Sequence, residues 1–427
     1  MFRVATLALT LLVAEALADD WPRFLGPNND GASAETKLLH QWPKEGPPKL
    51  WEYEKGDGHT GPVIAGGKVV LIHALEGKET VDCLDAATGA RMWRVAYPVE
   101  SVSQFGAGPG ARTSPVIDGG SVFTLGVRGA LQCLDLATGA VKWKRDLAAE
   151  YRLLPTFFGQ GGTPLVLGEK LIVPLGTEDR KSVVALDKNT GRELWAARHA
   201  WGSSYSSPIP AQFHGRECVL VFQGGMDDPP TGGLLCIDAA NGAVLSATPH
   251  RATMFASVSI SAPVVAGNRV FVAEAYTAGG LCVEIAPDFS AKVAWRAPKF
   301  GTYLATAVAH DGCLFGFAGM RQQNAELAGY DIATGKELWR DDLGGKFQRG
   351  SLLRADGGFL CLGENGDLAW LEISRTGGKV SAQAKLFHAP ESWTAPALSD
   401  GRLFICQNQR GSDGTKPRII CYDLRGQ

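Results

Sequence analysis

Beyond residue 18 the sequence has no apolar run long enough to cross a bilayer, which argues against a helical membrane span in the rest of the chain. Charge of one sign is also missing. Lys and Arg number 42 against 44 Asp and Glu, a formal net charge of −2 that gives no electrostatic footprint for nucleic acid. There is no C-x-x-C and no Cys/His pair at zinc spacing, so a structural zinc site is not expected. A Ser-His-Asp order, a Walker loop, a G-x-G-x-x-G after a strand and an H-E-x-x-H are all lacking. No familiar motif announces a reaction.

What is present begins with a targeting pattern. Arg3 supplies a positive start, residues 5–14 an apolar stretch, and Ala16-Leu17-Ala18 an A-x-A cleavage pattern. Residues 1–18 therefore read as a signal peptide, and no Cys stands near the cleavage point to take a lipid. The protein is expected to be exported, periplasmic or secreted, and soluble after cleavage. Nine cysteines is an odd count. Cys83, Cys133, Cys236 and Cys421 share one repeat position, two residues before an Asp, so buried thiols are favoured over bridges.

That repeat dominates the chain. Asp-x-x-Thr-Gly-x-x-x-Trp recurs at 85–93, 135–143, 187–195 and 331–339. Its members are Asp85, Gly89 and Trp93; Asp135, Gly139 and Trp143; Asp187, Gly191 and Trp195; and Asp331, Gly335 and Trp339. Each Asp is placed to fold an Asx-type turn, each Gly to take a positive φ, and each Trp to cover a seam. A residue repeated this way cannot mark a single site, so these positions are read as structural.

Aligned on the repeat, residues 48–427 divide into eight units of four short strands, with departures at Ser246, Glu284 and Glu372. The last unit is one strand short, and Lys49–Tyr53 matches a Trp strand without a unit before it. Pairing the two termini would remove two open edges. The fold predicted is all-β: an eight-bladed β-propeller of four-stranded antiparallel blades, closed by the N- and C-terminal strands. Residues 19–47, rich in turn formers, read as an irregular leader lying on this domain.

The repeat resembles the tryptophan-docking motif of quinoprotein-type, pyrroloquinoline quinone (PQQ)-like eight-bladed propellers, across residues 48–427. The stretch 21–31 is similar to the start of exported propellers of unassigned function. The resemblance implies the same fold and two kinds of activity. Some members are quinone-dependent dehydrogenases with a vicinal Cys-Cys disulfide and a calcium ion; others are non-catalytic, such as the propeller subunit of the outer-membrane barrel assembly machine. No two cysteines here are adjacent, and no counterpart of the calcium ligands is visible.

Function is expected on the face that carries the long loops, since rigid scaffolds present their sites there. The residue three before each first-strand Pro should lie nearest the axis. Round the ring this register reads His59, Arg112, Gly161, Tyr205, Ile260, Leu304, Arg349 and Trp393. His59, Arg112, Tyr205, Arg349 and Trp393 are the candidate ligand-binding residues, because aromatics with Arg and His suit a planar or anionic ligand. Nearby loops add Phe105, Tyr151, Arg152, Phe157, Phe158, Trp201, His250, Arg251, Phe300 and Tyr303. Catalytic residues are unassigned, and no metal or cofactor is expected. The first reading is a binding or scaffold module for a protein, peptide or glycan partner. The alternative is an alcohol or sugar dehydrogenase using PQQ with calcium.

Overall fold

Short alternating strands ended by Gly and Asp turns fold here into eight separate four-stranded antiparallel sheets. The structure is a computed structural model that describes residues 20–99, 110–254, 257–320 and 325–426. The expected signal peptide and Phe105 lie outside the described residues. Seven blades are consecutive in sequence, at 63–98, 116–146, 165–198, 209–249, 264–297, 308–341 and 351–385. Blade 8 joins three strands from 397–423 to strand Lys49–Glu54, which pairs antiparallel with Arg418–Asp423. The ring closes as expected, so no blade is left with an unpaired terminal strand.

The seams follow from the repeat. Trp93 Nε1 donates to Leu136 O of the next blade at 3.0 Å, and Trp51, Trp143, Trp195, Trp295 and Trp339 make the same bond at 2.9–3.2 Å. Five of the six rings, all but Trp339, lie on the glycine of the neighbouring turn. At Gly139, φ is +75° and a Cβ would stand 2.8 Å from Trp93, so any side chain would be strained and would clash. Asp135 Oδ1 holds the turn by accepting from the backbone N–H groups of Ala137 and Thr138 and from the Thr138 hydroxyl.

The cysteines follow from the same packing. Cys83, Cys133, Cys282 and Cys421 stand across the ladder from Trp93, Trp143, Trp295 and Trp51, where Ala185 and Gly329 face Trp195 and Trp339. The position opposite the ring must be small. All nine cysteines are buried free thiols. Burial pushes the Cys83 thiol up to about 12, so it stays protonated and inert.

The closing seam carries an additional polar cluster. Arg94 binds Asp82 through Nε at 2.7 Å and Nη2 at 2.8 Å, while Tyr53 and His73 also hydrogen-bond Asp82. Burial would raise the Asp82 carboxyl, but Arg94 and His73 together hold it at about 2.

The leader lies across the blades as an irregular segment. It visits the innermost strands of the blades in chain order. Trp21 pairs with Ile64, Pro22 O accepts from Ile117 N at 2.8 Å, and Arg23 Nη1 reaches Val166 O at 3.4 Å. Leu25 packs with Ile209 and Ala262, and Gly31 lies beside Val308. Ser33 N donates to Arg354 O at 2.9 Å, and Glu35 accepts from Gly401 N at 2.6 Å. Bonds to blades 1, 2, 3, 7 and 8 and packing against blades 4, 5 and 6 hold a segment that has almost no secondary structure of its own.

Candidate functional site

The entry segments of the blades converge on one cavity of about 200 Å³. Its wall includes His59, Arg112, Gly161, Tyr205, Ile260, Leu304 and Trp393, seven of the eight positions in the axial register. The entry segments of seven blades contribute, which puts the cavity on the ring axis. Phe158 and Tyr303 line it too. Phe24 completes it from the leader. The wall residues precede the innermost strands, whereas the leader crosses those strands further along. Phe24 therefore forms the floor of a cup that faces the long loops.

A belt of hydroxyls fixes the entry segments to one another. Gly61 N donates to Ser114 Oγ, Ser114 N to Thr163 Oγ1, and Thr163 N to Ser207 Oγ, each at 3.0 Å. Ala262 N donates to Thr306 Oγ1 in the same way. Each bond crosses from one blade to the next, so neutral backbone-to-hydroxyl bonds tie neighbouring entry segments together.

The aromatic walls are individually pinned. The Tyr205 hydroxyl accepts from Phe158 N at 2.9 Å, and the two rings lie 5.7 Å apart. Tyr205 presses on Gly161, where a Cβ would come within 2.4 Å of Cδ1. Trp393 stacks on His59 at 4.9 Å and donates from Nε1 to Glu364 at 2.8 Å. Glu364 is fully buried and also takes two guanidinium nitrogens of Arg349.

Arg349 therefore stands behind the wall. It lies over the Tyr303 and Trp393 rings, at 5.7 and 5.4 Å, and its charge is met by Glu364. The positive charge at the wall belongs to Arg112, which donates from Nε to Phe158 O at 3.0 Å and lies 5.5 Å from the Phe158 ring. Burial lowers the Arg112 pKa, with Tyr205 and Glu391 opposing. The His59 imidazole is held down to about 3, first by burial and then by Arg112 and Lys55, so it is neutral near pH 7. His59 Nε2 lies 3.8 Å from the half-exposed Glu391, and its Nδ1 is buried with no hydrogen-bond partner among the described residues.

Most of the other loop aromatics serve packing. Tyr151 ends a one-turn helix, Leu147–Tyr151, where a plain loop was expected; its ring joins a core cluster and its hydroxyl donates to Glu193. The Asp146 side chain caps this helix by accepting from Ala149 N. Phe157 is buried, and Phe300 stacks on Tyr330 at 4.2 Å. Arg152 pairs with Glu178 at the surface, 3.4 Å apart. Trp201, His250 and Arg251 meet in a second, peripheral cleft, where Arg251 is bound to the buried Glu274. Phe24 escaped sequence reasoning because it stands in a segment without periodicity; the turn-rich Trp21-to-Gly31 run was the available signal.

Fold and axial site together define an eight-bladed propeller of the PQQ-like type. A family model described as outer membrane protein assembly factor BamB matches residues 77–340, more than half of the chain, and the chain belongs to that family. Among solved structures, a europium-containing methanol dehydrogenase is similar at 12% identity, covering 95% of this chain and 98% of its own, with a TM-score of 0.69. BamB from Moraxella catarrhalis is 15% identical over 89% of this chain and 98% of its own, with a TM-score of 0.58. These likenesses show the fold alone. A serine/threonine-protein kinase, AfsK of Streptomyces griseus, is 31% identical over 159 residues, 36% of this chain, and the match spans only 18% of that protein's length.

The residues of the cup do not fit a calcium-bound quinone. Among the described residues no three His, Cys, Asp or Glu side chains group as a metal site. Among the described residues the wall includes no cysteine and no carboxylate, and the nearby Glu364 is already engaged by Arg349 and Trp393. A tricyclic polycarboxylate would need several cations, and among the described residues the wall offers the single guanidinium of Arg112.

Proposed function

We propose that this protein is an exported, non-catalytic binding propeller that receives its ligand or partner at the axial cup and the long-loop face around it. The observation that carries this reading is the convergence of aromatic side chains from several blades, with Arg112 and His59, on one cup. The mismatch between the polar groups of the cup and a calcium-bound quinone supports binding rather than quinone chemistry. The A-x-A pattern at Ala16-Leu17-Ala18 supports export.

The test is to supply PQQ with calcium and measure both quinone binding and dye-linked oxidation of alcohols and sugars. No turnover and no saturable quinone binding are expected. Turnover that depends on bound quinone would replace this reading with a dehydrogenase.

A further inference from the structure

Phe24, Phe158, Tyr205, Tyr303 and Trp393 present ring surface to the cup. Tyr205 comes from the segment before blade 4 and Trp393 from the segment before blade 8, so the two stand on opposite sides of the axis. The polar groups around them are already engaged within the protein. The hydroxyls of Ser114, Thr163 and Ser207 accept the belt bonds, the Tyr205 hydroxyl accepts from Phe158 N, and Trp393 Nε1 donates to Glu364. Arg112 donates to Phe158 O, lies in the field of the Glu391 carboxylate and has further partners, so its charge is met from inside the protein. His59 is neutral near pH 7. A carboxylate entering the cup would lose its hydration without an unengaged cation to meet it. A sugar would bring several hydroxyls to a wall whose polar groups are taken. An aromatic cage suits an organic cation, but the Arg112 guanidinium in the same wall opposes one. An uncharged ring meets none of these penalties. An apolar cavity of about 150 Å³ admits benzene, and the cup of about 200 Å³ has room for one substituted ring.

We propose that the axial cup binds one uncharged aromatic ring, seated on Phe24 between Tyr205 and Trp393. This rests on the binding-module reading and adds the ligand class. Affinity comes from burial of the ring and from stacked and edge contacts with the aromatic wall. Arg112 fastens the Phe158 loop and binds no ligand charge. The leader is part of the site, because Phe24 sets how deep a ring can enter. The same chemistry occurs in a free phenol and in a phenylalanine side chain within a peptide.

The test is calorimetric titration of the full chain with p-cresol, N-acetylphenylalaninamide, benzoate and benzyltrimethylammonium, with quinone turnover measured on the same preparation. Saturable binding of p-cresol, of the amide or of both is expected, with benzoate and the cation at least about tenfold weaker. The stronger neutral binder identifies the source. Phe24→Trp, which fills the floor, should weaken the neutral ring at least about tenfold. Phe24→Ala, which lowers the floor, should shift preference towards the two-ring 2-naphthol. Should either variant fail to fold, the neutral, anionic and cationic rings compared on the unaltered protein decide the question. Failure of both neutral rings to bind, equal binding of benzoate or of the cation, or unchanged affinities in both folded variants would overturn the proposal. Failure of both neutral rings without quinone turnover would remove the ligand class and leave the binding reading standing; turnover would remove both.

Discussion

The seam between blades and the wall of the cup are built from one repeat, yet they differ in kind. At the seam, six tryptophans make one hydrogen bond over and over, 2.9–3.2 Å long, each to a backbone carbonyl of the next blade. At the axis the equivalent positions hold His59, Arg112, Gly161, Tyr205, Ile260, Leu304, Arg349 and Trp393, which scarcely repeat. Repetition records what every blade needs in order to close the ring. Loss of repetition marks where the requirements of individual blades diverge, and that is where a ligand can be recognised.

The seam should be broken most severely by Trp93→Ala. Removing this buried ring with its bond to Leu136 O is expected to cost about 3–5 kcal/mol, read as a fall in the midpoint of chemical unfolding. Arg349→Ala comes next and lies between the two regions. It leaves Glu364 buried without its guanidinium, at a cost of the order of 3 kcal/mol, and should also loosen Trp393. An unchanged melting temperature would show that Glu364 is neutralised in another way.

A third prediction uses pH. Burial holds His59 at about 3 and also lowers His73, so below the ordinary histidine pKa the unfolded chain takes up protons that the folded chain refuses. Stability contributed by neutral His59 is complete above pH 6.5 and is lost as pH falls towards 3. His59→Gln should remove about 1–2 kcal/mol of the loss seen between pH 7 and pH 5, with the charges of Arg112, Lys55 and Glu391 left in place. Asp82, depressed to about 2, adds a later loss as pH falls from its ordinary range through 2. The smallest effect on stability belongs to Arg112→Gln, below about 1 kcal/mol, because one neutral donor can still reach Phe158 O. A large loss of melting temperature there would make Arg112 a structural residue and blur the contrast.

Much of the fold was legible because its cause is local and recurs. Asp135, Gly139 and Trp93 state a turn, a positive φ and a docked ring wherever they occur, and the unmatched strand Lys49–Glu54 announced the closure. The axial register was legible by counting from the repeat, which placed seven of its eight residues in one wall. Counting could not show that Arg349 turns away, because its partner Glu364 comes from the second-to-third strand loop of the same blade and has no marked neighbourhood. Nor could it reach Phe24. The leader takes its conformation from backbone bonds to successive blades, and long-range bonds of that kind leave no period in the sequence.

The central claim is that the seam holds the fold while the cup holds the ligand. Unfolding midpoints of Trp93→Ala and Arg112→Gln, measured side by side, test it most directly. Trp93→Ala is expected to lose about 3–5 kcal/mol and Arg112→Gln less than about 1 kcal/mol. Equal losses in the two variants would contradict the separation.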